Sequence, residues 1–421
     1  MMKRVFFLIG LLLSLGAIAQ ERLTLDECYN LAESAYPLTR QTGLLGEKSK
    51  YELAEIKKGA LPHLSLNGKA TYQSKVIQIP LEIPDANIEY PNKDQYVATL
   101  DVEQLIYNGS SISKRSTLKE AELETDKQQV EVTLYQLKNR INQYFFNTLL
   151  LQEQTDMLEA KIAQLETRLG EITTAVKFGT VLPSEKEVLQ AEILVTRQEM
   201  AGVIKDKETA LNQLSALTFI EIDSAARLEK PQISVSLPAV SRRPELKYYD
   251  LMREGITQRQ KLLGIENYPS LSGFAQAGYG NPGLDVLNND FESFYMLGIR
   301  LKWTFFDWGS TKDKKQVLEI SKEVVTTERE TFELNNNIEL QQALNEIDKY
   351  RILLEADQEI VELRRSIVAS SQSKLTNGVI TASEFLTEFN KLYTAGINQK
   401  LHELQLELSK ANYKVVQGYL E

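Results

Sequence analysis

Hydrophobic positions recur every seven residues through long stretches of this chain. Leu123, Val130, Leu137, Tyr144, Leu151, Leu158, Leu165 and Ile172 keep an unbroken step of seven. Leu134, Ile141, Ile162, Leu169 and Val176 form a companion series, with Thr148 and Thr155 in its gaps. This is a heptad seam, and it predicts a helix over about residues 110–178 that packs along a coiled-coil neighbour. Leu340, Ile347, Leu354, Val361, Val368 and Leu375 repeat the step in a stretch, Ser310 to Asn377, that holds neither Gly nor Pro. At 1.5 Å per residue such helices reach about 100 Å. A compact chain of this length has a radius of gyration of only about 22 Å, so the expected molecule is elongated.

Between the helices the period changes to two. Over residues 294–306, Tyr295, Leu297, Ile299, Leu301, Trp303 and Phe305 fall on one face, and Phe294, Met296, Gly298, Arg300, Lys302 and Thr304 on the other. Tyr96, Ala98, Leu100 and Val102 alternate in the same way with Val97, Thr99, Asp101 and Glu103. Residues 64–72 and 271–279 read as partner strands. Cations and carboxylates inside the alternation suit a membrane barrel wall, with lipid on the apolar face and a watery lumen lined by Arg300, Lys302, Asp101 and Glu103. Aromatics gather at the strand ends (Tyr107, Phe305, Phe306, Trp308). A soluble sheet with one wet face alternates equally well. Four strands cannot close a membrane barrel alone, and open edges are forbidden in hydrocarbon. A barrel reading therefore requires several chains.

The pattern is written twice. Pro37 stands before Pro62 at the same interval that separates Pro244 from Pro269, and Tyr107-Asn-Gly-Ser returns as Asp307-Trp-Gly-Ser. Gly179 and Gly378 follow, each with Ser-Glu five and six residues on: Ser184-Glu185 and Ser383-Glu384. We read two structural repeats, residues 20–230 and 231–421, each with a helix, two strands, a long helix and a further helix. The stretches 24–59 and 184–216 together match one long helix in length, and are expected to stack end to end beside it.

Composition and charge narrow the function. MMKRVFFLIGLLLSLGAIAQ has a basic start, an apolar run too short for a comfortable span, and Ala17-Ile18-Ala19 as a cleavage site, so residues 1–19 read as an export signal. The formal charge of −10 becomes −12 when the two cations Lys3 and Arg4 leave. Nucleic-acid binding has no electrostatic support. One cysteine, Cys28, excludes an internal disulfide and reads as a small buried hydrophobe. Gly278-Tyr-Gly-Asn-Pro-Gly283 has the form of a dinucleotide fingerprint but runs into Pro282 and a polar loop, not a helix. His63 and His402, the two histidines, lie far apart in the chain. No catalytic residue, cofactor or metal site is nominated, and the chain is read as a non-enzyme.

Taken together, LTLDECYNLAESAYPLTRQ near the start, LPHLSL and YPSLSG before the strands, YNGSS and FDWGS after them, and the segment from Gly378 to Gly418 resemble the outer-membrane efflux proteins typified by TolC. The resemblance runs in order from about residue 22 to 420. It implies a mainly α fold with a membrane β-barrel portion, in which antiparallel coiled-coil helices form an α-barrel. Four strands per protomer would enter a shared twelve-stranded barrel in a homotrimer. It implies an exit duct of a tripartite efflux or type I secretion system in the outer membrane of a Gram-negative bacterium, with a periplasmic helical extension. Its cargo would be small molecules or proteins. The implied partners are a periplasmic adaptor (membrane fusion) protein, an inner-membrane transporter of RND, ABC or MFS type, and outer-membrane lipid. The competing reading is an exported coiled-coil scaffold or envelope tether with no channel.

The resemblance also assigns residues. Gly179 and Gly378, with Ser184 and Ser383, match the family's helix-tip turns where adaptors dock. Glu185 and Glu384 match acidic positions facing the pore or a gating contact; a second ring three residues later is replaced by Thr387, with Glu388 the next carboxylate. Leu375 and Ile380 stand where some relatives carry the basic and aromatic residues of a lock, which implies a different or looser one. The residues themselves leave other roles open: Ser184–Glu187 and Thr381–Glu384 both fit the S/T-x-x-E capping box, and Glu185 also reads as an interhelical tie.

Overall fold

The computed structural model describes residues 22–77, 91–235, 241–286 and 288–418. The expected export signal lies outside them. Eight helices are described: α1 (Leu25–Ala35), α2 (Thr39–Lys58), α3 (Ser111–Tyr135), α4 (Leu137–Lys177), α5 (Pro183–Thr218), α6 (Pro244–Leu263), α7 (Ser310–Thr376) and α8 (Ala382–Gln417). The strands are β1 (Arg22–Leu23), β2 (His63–Tyr72), β3 (Asp94–Tyr107), β4 (Arg227–Leu228), β5 (Ser270–Asn281) and β6 (Glu292–Lys302). Two compact units result. One comprises Met1–Gln41, Val130–Leu246 and Glu330–Glu421, the other Thr42–Gln129 and Lys247–Arg329. Each draws on both halves of the chain.

Three expected elements differ in extent. The helix expected over 24–59 is two, because Pro37 offers no N–H and drives Tyr36 to extended backbone (φ −61, ψ 132). The helix expected over 110–178 is interrupted at Gln136 alone, which keeps helical dihedrals (φ −65, ψ −19); no Gly or Pro marks the place. The strand expected to reach Phe306 stops at Lys302, opposite Ser270. Pro269 follows on the partner side and has no N–H to extend the ladder, while the Trp303 indole donates to the Asn267 carbonyl at 3.1 Å. α7 runs 67 residues without a break, as the absence of Gly and Pro predicts.

In the first unit the heptad positions turn inward. Val130, Leu137, Leu158, Leu165 and Ile172 on one series and Leu134, Ile141 and Ile162 on the other are buried. α4 packs along α5 and α8. α1 starts with a capping box, Thr24 against Glu27, and carries Cys28 fully into the core, where burial pushes its thiol up to about 12. That thiol is packing, not chemistry. At the far end of α8, Gly418 (φ +87) lies against the Arg242–Arg243 backbone, and Arg242 N–H donates to the Gln417 carbonyl at 2.9 Å. β1 and β4 pair in parallel nearby, Leu23 opposite Leu228.

The second unit holds one antiparallel sheet in the order β2-β3-β5-β6. Register fixes its two faces. Leu66, Leu100, Ala277 and Tyr295 form one cross-strand row, and Leu64, Val102, Ala275 and Leu297 the next. Their side chains point to the same face and are open: Leu66 is 80% and Leu297 71% exposed. The opposite face carries the rows Ser65, Asp101, Gln276, Met296 and His63, Glu103, Phe274, Gly298.

Gly418 gives the first test. An added Cβ would stand 2.5 Å from the Arg243 nitrogen, and the left-handed backbone alone costs about 1–3 kcal/mol for an ordinary residue. Gly418→Ala is expected to lower the thermal midpoint by several degrees, measured by circular dichroism of the full chain in detergent.

Candidate functional site

Two places collect the residues that the sequence singles out: the helix tip in the first unit and the polar sheet face in the second.

Each tip is a helix stop built on glycine. Gly179 and Gly378 have φ +72 and +68, with nothing within 4 Å of an added Cβ. Their requirement is the left-handed backbone, not space. Gly179 N–H donates to Val176 O and Thr180 N–H to Ala175 O, both at 3.0 Å; Gly378 N–H donates to Leu375 O at 3.0 Å and Val379 N–H to Lys374 O at 2.8 Å. This is the Schellman arrangement, made identically in both copies. Under the turns, Leu165, Ile172, Leu189, Ile193, Val368, Leu375, Phe385 and Phe389 form one buried cluster, with Ile380 packed against it. Leu375 and Ile380 are therefore apolar packing at the base of the tip.

The three carboxylates have different surroundings. Glu384 closes a capping box at the start of α8: its Oε2 accepts from Thr381 N–H at 2.8 Å and from the Thr381 hydroxyl at 3.0 Å. Those bonds, the backbone one foremost, hold its carboxyl below the ordinary value. The residue remains exposed, as does Ser383. Glu388 lies between Lys391 at 2.7 Å and Arg364 of α7 at 3.2 Å. Its carboxyl is also held low, first by the Lys391 hydrogen bond. Thr387 turns back to the Ser383 carbonyl at 3.0 Å.

Glu185 departs from the capping expectation. α5 begins at Pro183 with Leu182 as N-cap and no side-chain cap, so Ser184 and Glu187 form no box. Pro at the first position needs no N–H partner and starts the helix one residue early. Glu185 instead accepts from the backbone N–H of Ala382, at the start of α8. A carboxylate at a helix N-terminus meets both free N–H groups and the positive end of the dipole. The acid at the start of α5 thus caps α8.

Sequence reasoning passed over a second tie between the helix pairs. Lys161 of α4, only 7% exposed, reaches Glu192 of α5 at 3.0 Å and stands 4.8 Å from the ring centre of Tyr393 on α8. Asn390 donates to the same Glu192 carboxylate at 3.1 Å. Nearer the other end of α8, His402 meets Asp357 of α7 at 2.6 Å and Lys400 meets Glu153 of α4 at 3.4 Å. Lys161 falls next to the seam residue Ile162, and that burial of a cation beside a heptad position was the available signal.

On the sheet, Asp101 accepts from Asn67 at 2.7 Å, Thr99 at 2.8 Å and Gln276 at 2.5 Å. Glu103 receives the Ser272 hydroxyl at 3.2 Å and faces Arg300 at 3.6 Å. Lys302 lies two residues along β6 from Arg300, on the same face and exposed. All four nominated residues share this polar face. Gly278–Gly283 lies at the end of β5 and in the loop beyond it, with no helix following. Among the described residues no group of three or more His, Cys, Asp or Glu is placed to hold a metal ion, and no helix is long and apolar enough to cross a membrane.

The tip should respond to acid with a definite sign. Glu384 and Glu388 have depressed folded-state pKa values, so their contribution is present above the unfolded carboxylate value. It is lost as pH falls through the lower folded one. Hydrogen exchange of the amides at residues 381–385 should accelerate on titration from pH 7 to pH 3 beyond the intrinsic rate change. Glu185→Ala should accelerate exchange at Ala382 already at pH 7.

No protein-family model matches the sequence, and no curated protein matches it. Solved structures do. CusC, described for changes accompanying folding and transmembrane channel formation, superposes with a TM-score of 0.69 at 14% identity, covering 94% of this chain and 92% of that one. The outer-membrane channel MtrE of Neisseria gonorrhoeae, in its open state, gives 0.67 at 16% identity, with 94% and 89% covered. The outer-membrane protein VceC of Vibrio cholerae gives 0.65 at 14%, with 94% and 97% covered. The likeness spans nearly the whole of each chain and is one of fold: this chain has the fold of these outer-membrane channel proteins.

Proposed function

We propose that the chain is the outer-membrane exit duct of a tripartite efflux or type I secretion system, working as a homotrimer. Cargo delivered by an inner-membrane transporter, of RND, ABC or MFS type, would pass through it to the exterior. The observation that carries this reading is the two-faced sheet in a chain with this fold. Its apolar face exposes Leu64, Leu66, Tyr295, Leu297, Ile299 and Leu301, and the outer edges of β2 and β6 have no partner strand among the described residues. The eleven residues of β6 rise about 36 Å along the strand. At the ~40° tilt of membrane barrels this is a height of about 28 Å, close to the apolar band such barrels present to lipid. Aromatic side chains stand toward both ends. Tyr96 and Tyr279 stack on Phe291 at one end, and Trp303, Phe305, Phe306 and Trp308 cluster at the other.

In this reading three sheets share one twelve-stranded barrel, each edge β2 meeting an edge β6 of the next copy. Asp101, Glu103, Arg300 and Lys302 then line the lumen. Their mixed signs and mutual bonds favour a wet, weakly selective passage over a tight ion site. The helix pairs continue the duct into the periplasm, and the turns at Gly179 and Gly378, with Ser184 and Ser383, form the mouth where a periplasmic adaptor docks. Exposed Glu384 is the pore-ring residue. Glu185, bound to Ala382, ties the two helix pairs together at that mouth, and Glu388, held between Arg364 and Lys391, ties α8 to α7. With apolar residues at Leu375 and Ile380, closure rests on these ties. The cargo class is carried by the transporter.

The competing reading, an exported scaffold or tether, predicts a chain that leaves the membrane with salt or alkali. The duct predicts fractionation with the outer membrane, extraction only by detergent, and stepwise conductance in planar bilayers; a salt-extracted protein without conductance would reject it. Glu384→Gln should lower cation preference while leaving the particle assembled. An unchanged reversal potential in a salt gradient would remove Glu384 from the pore.

A further inference from the structure

At the end of the sheet where the helices join it, the second unit gathers positive charge. Lys114 and Arg115 follow β3, and Lys314 and Lys315 follow β6 at the same interval of 200 residues that separates Asp307 from Tyr107. Lys312 adds a further cation in the second copy, and Lys57, Lys58 and Lys261 close α2 and α6. The two groups adjoin: Tyr268 packs on Gly109, and Lys315 Nζ lies 3.6 Å from the Cβ position of Gly264. Across residues 57–63, 107–115, 261–269 and 303–315, eight cations stand against three carboxylates, in a chain whose formal charge is −10. The sequences that join the strands at the other end, 73–93 and 282–291, hold two cations against five carboxylates. The basic collar therefore belongs to one end only.

The fold itself accounts for few of these charges. Lysines that close a helix meet the negative end of its dipole, but the five cations that open α3 and α7 oppose theirs. Lys314 pairs with Glu266 at 3.1 Å. Lys57, Lys58, Arg115, Lys261, Lys312 and Lys315 are exposed and make no ion pair among the described residues. Asp307 does not serve them, because its oxygens accept from the Gly309 and Thr311 N–H groups and from Asn267. Beside the cations, Trp303 and Trp308 are 58% and 89% exposed, with Phe305 and Phe306 also open. Exposed indoles next to lysines mark the boundary between hydrocarbon and water. The depth agrees. A bilayer of about 40–45 Å with a core of about 30 Å leaves each headgroup layer about 5–8 Å thick. Lys312 and Lys315 are the third and sixth residues of α7, which places them about 3–8 Å along it at 1.5 Å per residue.

We propose that this collar binds the anionic phosphodiester headgroups of phospholipids in the leaflet next to the helices, and so seats the sheet at a fixed depth. The inference rests on the reading of the sheet as a wall in lipid. It adds the lipid class that meets the helical end and the residues that recognise it. Charge complementarity selects the occupant. A zwitterionic headgroup brings its own cation to each phosphate and gains little from the collar, whereas an anionic headgroup brings none. Clusters of four to eight Lys and Arg beside a membrane segment attract anionic lipid on this ground. The collar is continuous with the apolar sheet face through Leu301 and Trp303, so acyl chains and headgroup of one lipid meet adjoining surfaces of the protein.

Trp303 and Trp308 are the two tryptophans of the chain, and both lie in the collar, so their fluorescence reports the lipid there. The full chain is reconstituted in phosphatidylcholine vesicles, into which phosphatidylglycerol or phosphatidylcholine with brominated acyl chains is titrated. Bromine quenches on contact, and the two quenching curves give the relative affinity of the two lipids. Phosphatidylglycerol should be preferred about fivefold at low salt, the factor that a single effective lysine supplies. The preference should vanish in about 1 M salt, where the Debye length falls to about 3 Å. Arg115→Gln combined with Lys312→Gln and Lys315→Gln should abolish it, while quenching by brominated phosphatidylcholine stays as in the native chain and shows that the variant is inserted. Lys312→Arg with Lys315→Arg should keep it. Equal quenching of the native chain by the two lipids would overturn the collar and leave the sheet in lipid. A preference that survives the triple glutamine substitution would overturn its assignment to these residues. Tryptophans that neither lipid quenches would remove the underlying reading instead.

Discussion

The outer backbone groups of β2 and β6 have no partner strand among the described residues, yet the face beside them is leucine, isoleucine and tyrosine open to the surroundings. In water this would be an aggregating sheet with two adhesive edges. In hydrocarbon the apolar face is at ease, and the edges become the difficulty, because each unpaired N–H or C=O costs several kcal/mol there. Both conditions are met only when the edges pair with strands of other copies. In the proposed trimer the rest of the chain follows from that requirement: one sector of a ring must expose unfinished margins.

The helical part meets the same demand with different chemistry. α4 packs against α5 and α8 of its own chain, and Ile141, Leu158 and Leu165 of its heptad series are fully buried. α5 and α7 are enclosed on one side only. Within the chain, the two helix hairpins are joined by polar ties: Glu185 to the Ala382 amide, Glu192 to Asn390, Lys161 to the Tyr393 ring and Glu153 to Lys400. Ties of this kind have defined geometry and a modest net free energy. They hold the register of one hairpin against the other.

Much of this was legible in the chain. The heptad steps located the long helices, because a buried stripe needs that period whatever surrounds it. The period-two stretches located the four strands, and register then brought Asp101, Glu103, Arg300 and Lys302 onto one face as the alternation predicted. The glycine tips were legible because only glycine takes that backbone freely. Long-range polar partners were not. Glu185 was open to a local cap or an interhelical tie, and it makes the tie, across 197 residues to Ala382; nothing in Ser184–Glu187 names that partner. Lys161 sat unremarked beside a seam position. The break at Gln136 has no proline or glycine to announce it, whereas Pro37 and Pro269 explain the divided first helix and the early end of β6.

The central claim is that the sheet is a wall between lipid and water. Spin labels report this directly. Nitroxides placed singly at Leu66, Leu100 and Leu297 of the full chain in lipid vesicles should collide freely with oxygen, which concentrates in hydrocarbon. They should collide little with a water-soluble nickel chelate. Labels at Ser65, Asp101 and Gln276 should show the reverse preference. Equal access of the nickel chelate to both sets would mean that both faces are wet, and would contradict the account.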